Sequence, residues 1–431
     1  MATYQYGSVG FFQQLQAFAE DAFGSAEVEA VVTDILQAVA RRGDRALLEL
    51  TANLDGATIS ANSIRLSGKE LKKGVQSLSA RDQRAIAESI HCVESFNRQS
   101  LPENWTGENP HGATVGERYY PIRRVGIYVP GGSVPLVSTV IMTTTLAKIA
   151  NVEQICVCTP PNRRGAIAPA LAGVLSICGV DEVCKVGGAQ AVAAMAYGTK
   201  SIAAVDKIFG PGNAFVNEAK RQLFGKVGID LLPGPSELMV IADLQAEPQF
   251  VAADLLAQAE HGSGKEKIYL VSTSEKIAAE VKTALAAQVL RLTHREAIEK
   301  VLETNFAWVN VPHLDAAVEV ANFVAPEHLQ LQVDNEAIAG MTRRISTAGA
   351  IMQGNFTATA LGDFVAGPSH VLPTGRGGRF SSGLTVRDFF RRSSVVRYDK
   401  PEVNKAALMV EAFARMENLD AHGRSVSIRA K

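Results

Sequence analysis

The feature that most constrains this chain is an alternation. Between residues 124 and 353, short β-rich runs are separated by stretches whose apolar residues recur at helical spacing. That pattern argues for an α/β architecture. The clearest strands fall at 124–129, 154–159, 206–209, 238–242, 267–271, 307–311 and 350–353, with helical stretches at 138–150, 166–178, 214–222 and 248–260. The last opens on Pro248, which suits a first helical position because its missing N–H would have no partner there anyway. The first 50 residues or so read as helices, with amphipathic text at 11–22 and helical spacing at 25–41. Another helix is expected at 403–416, beyond the last strand-like text. A chain of 431 residues exceeds what one hydrophobic core supports, so two or more domains are expected. No internal repeat on the scale of roughly 20–50 residues interrupts this picture.

Composition narrows the class of function. Apolar residues make up 47% and charged residues 20%, which excludes a disordered, coiled-coil or collagen-like chain. Lys+Arg (43) almost balance Asp+Glu (44), leaving no basic footprint for nucleic acid. The local run of Arg387, Arg391, Arg392 and Arg397 reads as a solvated face. No apolar stretch reaches the roughly 18–20 residues of a membrane helix; the best candidate, 137–152, carries Lys148. The opening MATYQYGSVGFF lacks the basic start and apolar middle of a secretory signal. The five cysteines (Cys92, Cys156, Cys158, Cys178 and Cys184) include no CxxC pair and read as buried free thiols in a reducing cytoplasm.

Several strands run into glycine-rich turns: Val-Pro-Gly-Gly at 129–132, Val-Gly-Gly-Ala-Gln at 186–190, Gly-Pro-Gly-Asn at 210–213 and Pro-Gly-Pro-Ser-Glu at 233–237. In open parallel sheets, glycine at the carboxyl end of a strand lets the backbone approach a phosphate, and helix N-termini attract anions. None of the four is a GxGxxG. Together they point to a nucleotide or anion crevice.

Four of the eight histidines sit in unusual surroundings; His91, His111, His294 and His313 lie in polar or helix-surface text. His261 follows Gln258-Ala-Glu at the end of an apolar helix. It reads either as a C-terminal histidine favoured by the helix dipole, with Gly262 as cap, or as half of a donor pair with Gln258. In Ala325-Pro-Glu-His, Pro326 and Glu327 suit a helix start, yet Glu327 and His328 also offer two adjacent bases of different pKa. Asp363 and His370 share a loop with no other charge, and Glu417 and His422 lie near the chain end, where segments usually fray. Imidazoles, a carboxylate and an amide oxygen make a mixed N/O set of the kind zinc accepts, although no HExxH or Cys/His ribbon is present.

These motifs carry a resemblance. The run from Arg124 to Gly132, then KVGGAQA (185–191), DKIFGPGN (206–213), GPSE (234–237), AQAEHG (257–262), APEHL (325–329), the segment 362–374 and FSSGL (380–384) closely resemble the histidinol dehydrogenase family, in the expected order over nearly the whole chain. The resemblance implies two Rossmann-like domains without the standard GxGxxG, helical N- and C-terminal extensions, and an intertwined homodimer. It divides the chain into a helical extension (1–25), a first domain with the catalytic and zinc residues (26–129 with 237–380), an NAD-side domain (130–236) and a C-terminal extension (381–431). It further implies oxidation of L-histidinol to L-histidine through L-histidinaldehyde, with NAD and one zinc per subunit.

Carried over by motif, Gln258, His261, Asp363 and His422 would hold zinc, and Glu327 and His328 would be the catalytic pair. Ser236, His370 and Glu417 resemble substrate-contacting positions alongside the zinc ligands and His328, while Tyr128, Gln190 and Asn213 resemble NAD-contacting ones. His422 and Glu417 would complete the site of the second subunit. Three departures stand out: Thr359 where many members carry Glu, Ser369 where Asn is usual, and Thr143-Thr-Thr-Leu where Ala-x-Pro is common. Paralogues of the family act on other small polar alcohols, such as a dihydroxypropanesulfonate, so these motifs mark the reaction class more sharply than the substrate.

Overall fold

A computed structural model of the chain describes residues 2–20, 26–131, 136–180, 182–261 and 263–430. Gly132 of the first glycine turn and Gly262 after His261 lie outside the described residues. The strands are β1 (Ala2–Gln5), β2 (Trp105–Glu108), β3 (Thr114–Pro121), β4 (Arg124–Tyr128), β5 (Gln154–Cys158), β6 (Glu182–Cys184) and β7 (Lys207–Phe209). They continue as β8 (Gly228–Ile229), β9 (Glu237–Ala242), β10 (Lys267–Ser272), β11 (Phe306–Asn310), β12 (His328–Gln332), β13 (Ala350–Gln353) and β14 (Phe390–Arg397). They form a larger sheet in the order β1-β11-β10-β9-β12-β13 and a smaller sheet in the order β6-β5-β4-β7-β8. Both are parallel throughout. A third, antiparallel sheet runs β14-β3-β2.

Helices cover both faces of each parallel sheet, which explains why a central strand such as β9 is buried at every residue and reads as a nearly continuous apolar run. On the larger sheet, Met239, Val309, Leu329 and Leu331 share a core with Leu15 and Val320. The opposite face packs Leu238, Val240 and Leu270 against Leu255, Val281 and Val301. On the smaller sheet, Val125, Ile127 and Val157 meet Val93, Leu146 and Leu175, while Ile208 and the sulfurs of β5 and β6 meet Val32, Leu47 and Val192. Each fully buried aliphatic side chain of this kind contributes about 1.5–3 kcal/mol relative to exposure.

The structure departs from the sequence reading in several places. The N-terminus is not wholly helical: β1 extends the larger sheet beside β11, and Phe11 and Leu15 of the following helix enter that core. Helices within 26–98 pack on the smaller sheet, not the larger, because their apolar faces complete its two cores. β4 belongs to the smaller sheet as well, and Val371, Leu384 and Phe389 join its core, with Phe389 stacked on Phe209 at 4.0 Å. The arginine-rich run at 387–397 spans a short helical turn that holds Arg387 and all of β14, where Arg392 pairs with Glu117 of β3.

Candidate active site

The acid–base residues assemble where two neighbouring strands of the larger sheet begin. The helix Leu314–Val324 ends at Ala325, whose φ of 52° turns the chain sharply, and His328 then opens β12. Pro326 thus leads into a strand, not a helix. β12 pairs with β9, setting Glu327 and His328 beside Glu237. The backbone of that one residue holds both: the Glu237 N–H donates to Glu327 Oε2 at 2.8 Å, and the Glu237 carbonyl lies 3.2 Å from His328 Nδ1. With Nδ1 donating there, Nε2 of His328 faces Asp363 Oδ1 at 3.5 Å. On the far side, Ala350 N–H donates to the Glu327 carbonyl at 2.9 Å, and a Cβ on Gly349 would sit 2.6 Å from that same oxygen. Only glycine allows this approach.

Asp363 lies on the short helix Thr359–Phe364 and His370 in the segment after it, so the expected shared loop is half helical. That segment docks on the turn before β9: Gly234 N–H donates to Thr374 Oγ1, and Gly375 N–H to Glu237 Oε1 at 3.0 Å. Ser236, half-buried between them, accepts the Lys267 N–H at its carbonyl. Ser369 is buried and caps Val371 N–H at 3.2 Å.

The charges in this cluster govern one another. Burial alone would push His328 down, but the carboxylate of Glu327 and then that of Asp363 outweigh it and carry the imidazole up to about 10. Asp363 is held below the usual carboxylate range: burial works against this, and the facing imidazoles of His328, His370 and His261 prevail. Burial lowers His370 against the pull of Asp363. Burial raises Glu237 to about 8, and the charge of Glu327 adds to that rise.

A metal would find a fitting donor set beside this cluster. Gln258 is buried on the last turn of the helix Pro248–Ala259, and its amide nitrogen has no hydrogen-bond partner. The His261 ring places Nδ1 3.2 Å from the Gln258 carbonyl, leaving Nε2 available, the usual arrangement of a histidine ligand. The charge of His261 is among those that lower Asp363, which puts the two within electrostatic reach. His422 and Glu417 do not join them within one chain. Both are exposed, His422 on the helix Asp420–Ser427 and Glu417 as the cap of the helix Lys400–Met416, and neither side chain has a hydrogen-bond partner among the described residues.

The residues expected to contact NAD gather at the opposite kind of edge, where strands of the smaller sheet end. Tyr128 closes β4, and its buried hydroxyl accepts Gly188 N–H at 3.1 Å; burial pushes its pKa up to about 12. Gln190, in the first turn of the helix Gly188–Tyr197, donates to Asp55 Oδ2 at 3.4 Å and leaves its own buried Oε1 unpartnered. A Cβ at Gly187 would overlap Pro160, so that turn is close-packed. Asn213 is the N-cap of the helix Ala214–Leu223, accepting Phe215 and Val216 N–H at 3.1 Å. Asp55, raised to about 6 by burial, is a member of this group that no motif announced. Glu237 closes the GPSE motif, and a charge opening an otherwise apolar strand is the sequence signal that marks it.

Comparison with known proteins gives one consistent result. The family model described as histidinol dehydrogenase matches residues 19–430. The histidinol dehydrogenase of Bradyrhizobium diazoefficiens is 42% identical over 98% of this chain and 97% of its own, and that of a Synechococcus strain is 41% identical over 93% and 92%. A crystal structure of histidinol dehydrogenase from Elizabethkingia anophelis superposes with a TM-score of 0.94 at 32% identity, covering 100% of this chain and 98% of that one. With the motifs in order, the same architecture and near-complete coverage in each comparison, the chain belongs to the histidinol dehydrogenase family of oxidoreductases.

Proposed function

We propose that this protein carries out the NAD-dependent oxidation of L-histidinol to L-histidine through L-histidinaldehyde. The observation that carries the reading is the placement of two bases on one backbone residue: Glu237 holds both Glu327 and His328, and His328 Nε2 faces Asp363 at 3.5 Å. Alcohol oxidation needs the hydroxyl proton removed as hydride leaves to the nicotinamide, and His328 Nε2, anchored through Nδ1, is the group to take it. Oxidation of the aldehyde needs a water activated to form its hydrate. Glu327 suits that step because Oε2 is fixed by Glu237 while Oε1 has no hydrogen-bond partner among the described residues. Gln258, His261 and Asp363, with His422 from a second copy of the chain, would hold zinc. When bound, zinc would orient the imidazole and amine of the substrate and take up the charge of Asp363, leaving His328 better able to accept a proton. Tyr128, Gln190 and Asn213 would form the NAD side, Ser236, His370 and Glu417 the rest of the substrate site.

Incubation with L-histidinol and NAD should yield two NADH for each substrate consumed, with histidine as product and little aldehyde released. One specific observation favours a second reading. Thr359, where many family members carry Glu, is buried with an unpartnered Oγ1 one turn before Asp363, so an acidic group that could meet an amine is absent there. If histidinol is inert while another small polar alcohol is turned over, that second reading holds.

The shared-site arrangement rests on the C-terminal helices, which pack on each other and expose Leu408, Phe413 and Met416. Such a surface suits a second subunit. Mixing His422→Asn and His261→Asn proteins under subunit exchange should restore up to about half the normal activity per mixed dimer, since one of its two sites is then wholly wild type. Verified heterodimers that stay silent would refute shared sites. The free thiols and the biosynthetic role fit a cytoplasmic protein, and no helix among the described residues is long and apolar enough to cross a membrane.

A further inference from the structure

The smaller sheet carries a second cluster with metal-ligand chemistry, separate from the donor set described above. Cys156 and Cys158 lie two apart on β5 and so share one face, and Cys158 pairs in register with Cys184 of β6. The three sulfurs lie within 4.8 Å of one another, all are free thiols, and none of the three residues has exposed surface.

Their surroundings are positive. Arg65 and Arg124 both reach Glu182 Oε1 at 2.8 Å, so two guanidinium groups share one carboxylate. Arg65 is backbone-bridged to Cys184, and Arg124 Nε is buried with no partner. A positive neighbourhood of this kind favours thiolate over thiol.

We propose that Cys156, Cys158 and Cys184 form a trigonal site for a soft monovalent cation, copper(I). Three thiolates are soft donors and select soft ions. Structural zinc completes a tetrahedron, whereas no fourth His, Cys, Asp or Glu joins this group among the described residues. An ion in the plane of three sulfurs replaces the thiol protons and needs little added volume, so the tight core does not oppose it. Binding breaks three S–H bonds, forms three Cu–S bonds and releases three protons to solvent, with no change in oxidation state. The resulting centre carries two negative charges, which the excess positive charge of Arg65 and Arg124 over Glu182 partly offsets.

The test is a titration of the reduced, full-length protein with copper(I) under anaerobic conditions, against a competing copper(I) chelator. The wild type should take up one copper(I) per chain with an ultraviolet thiolate-to-copper charge-transfer band and a raised Tm, since the ion binds only the folded state. Cys184→Ser should lose the band and the Tm shift, while His261→Asn, altered only at the other donor set, should keep both. Cys156→Ala serves in place of Cys184→Ser should that variant fail to fold. No band in the wild type, or an undiminished band in the cysteine variants, would overturn the site and leave the three thiols as small packing residues.

Discussion

The two parallel sheets use opposite ends of their strands. The smaller sheet brings together Tyr128 and the glycine turn at 187–188, on the proposed NAD side, where β4 and β6 end. The larger sheet gathers its buried ionisable cluster, the proposed bases among it, where β9 and β12 begin, with Glu237, Glu327 and His328. On the proposed reading, the carboxyl-end rule for ligands in open parallel sheets would describe only one of them. The physical reason lies in what each edge must supply. A cofactor with phosphates is served by glycine turns, backbone amides and a helix N-terminus, all of which follow a strand. Proton transfer needs side chains held at fixed separation, and adjacent parallel strands hold the residues at their starts side by side.

If the two edges divide the labour in this way, substitutions at each should leave different kinetic marks. Glu327→Gln should cost about 10²–10⁴-fold in conversion of aldehyde to acid, the usual worth of a positioned base, while sparing much of the alcohol step and the KM for NAD. Half-reaction rates measured separately decide this, and equal loss in both would merge the roles of Glu327 and His328. Tyr128→Phe removes the acceptor of a Gly188 N–H, which costs about 1–3 kcal/mol when that group is left unsatisfied. The KM for NAD should rise about tenfold, the equivalent of 1.4 kcal/mol, with little change in the aldehyde step. A fall in kcat at constant KM would instead place Tyr128 with the chemistry.

The smallest effect is expected at Glu237, and it should appear in stability more than in rate. The folded state raises this carboxyl to about 8, through burial and the neighbouring Glu327, with Lys267 opposing. Folding therefore favours the protonated form. The contribution is fully present below the ordinary carboxyl range and is lost as pH climbs toward about 8. Glu237→Gln keeps an acceptor for Gly375 N–H and never ionises, so Tm against pH should be flatter over that window. An unchanged slope would show that Glu237 does not titrate in the native protein.

Seven of the eleven parallel strands among the described residues were legible because doubly covered parallel strands are written as continuous apolar runs; 124–129, 154–159 and 238–242 are found within a residue of where they were expected. β12 escaped because only one face of it is apolar. Leu329 and Leu331 enter the core, while Gln330 and Gln332 are buried on the other face and bond to Asp254 at 2.7 and 3.2 Å. Glutamines whose amide nitrogens bond to a carboxylate 76 and 78 positions away read as surface text. The same limit hid the site: Glu327 and His328 looked like a helix start until the family motif marked them, and what holds them is backbone of Glu237, which carries no residue-type signal at all. Asp55 joins Tyr128 and Gln190 only through the fold.

The shared anchor at Glu237 has a consequence for anyone redesigning this enzyme. Both anchoring hydrogen bonds use main-chain atoms, so among replacements at 237 only proline, which lacks the N–H, severs one of them, and every other side chain leaves both contacts in place. Shortening or lengthening the turn at 233–236 would displace both bases together. A library meant to retune one oxidation without the other therefore has to work from the opposite wall, through the neighbours of Asp363 and His370, where each side chain can be varied on its own.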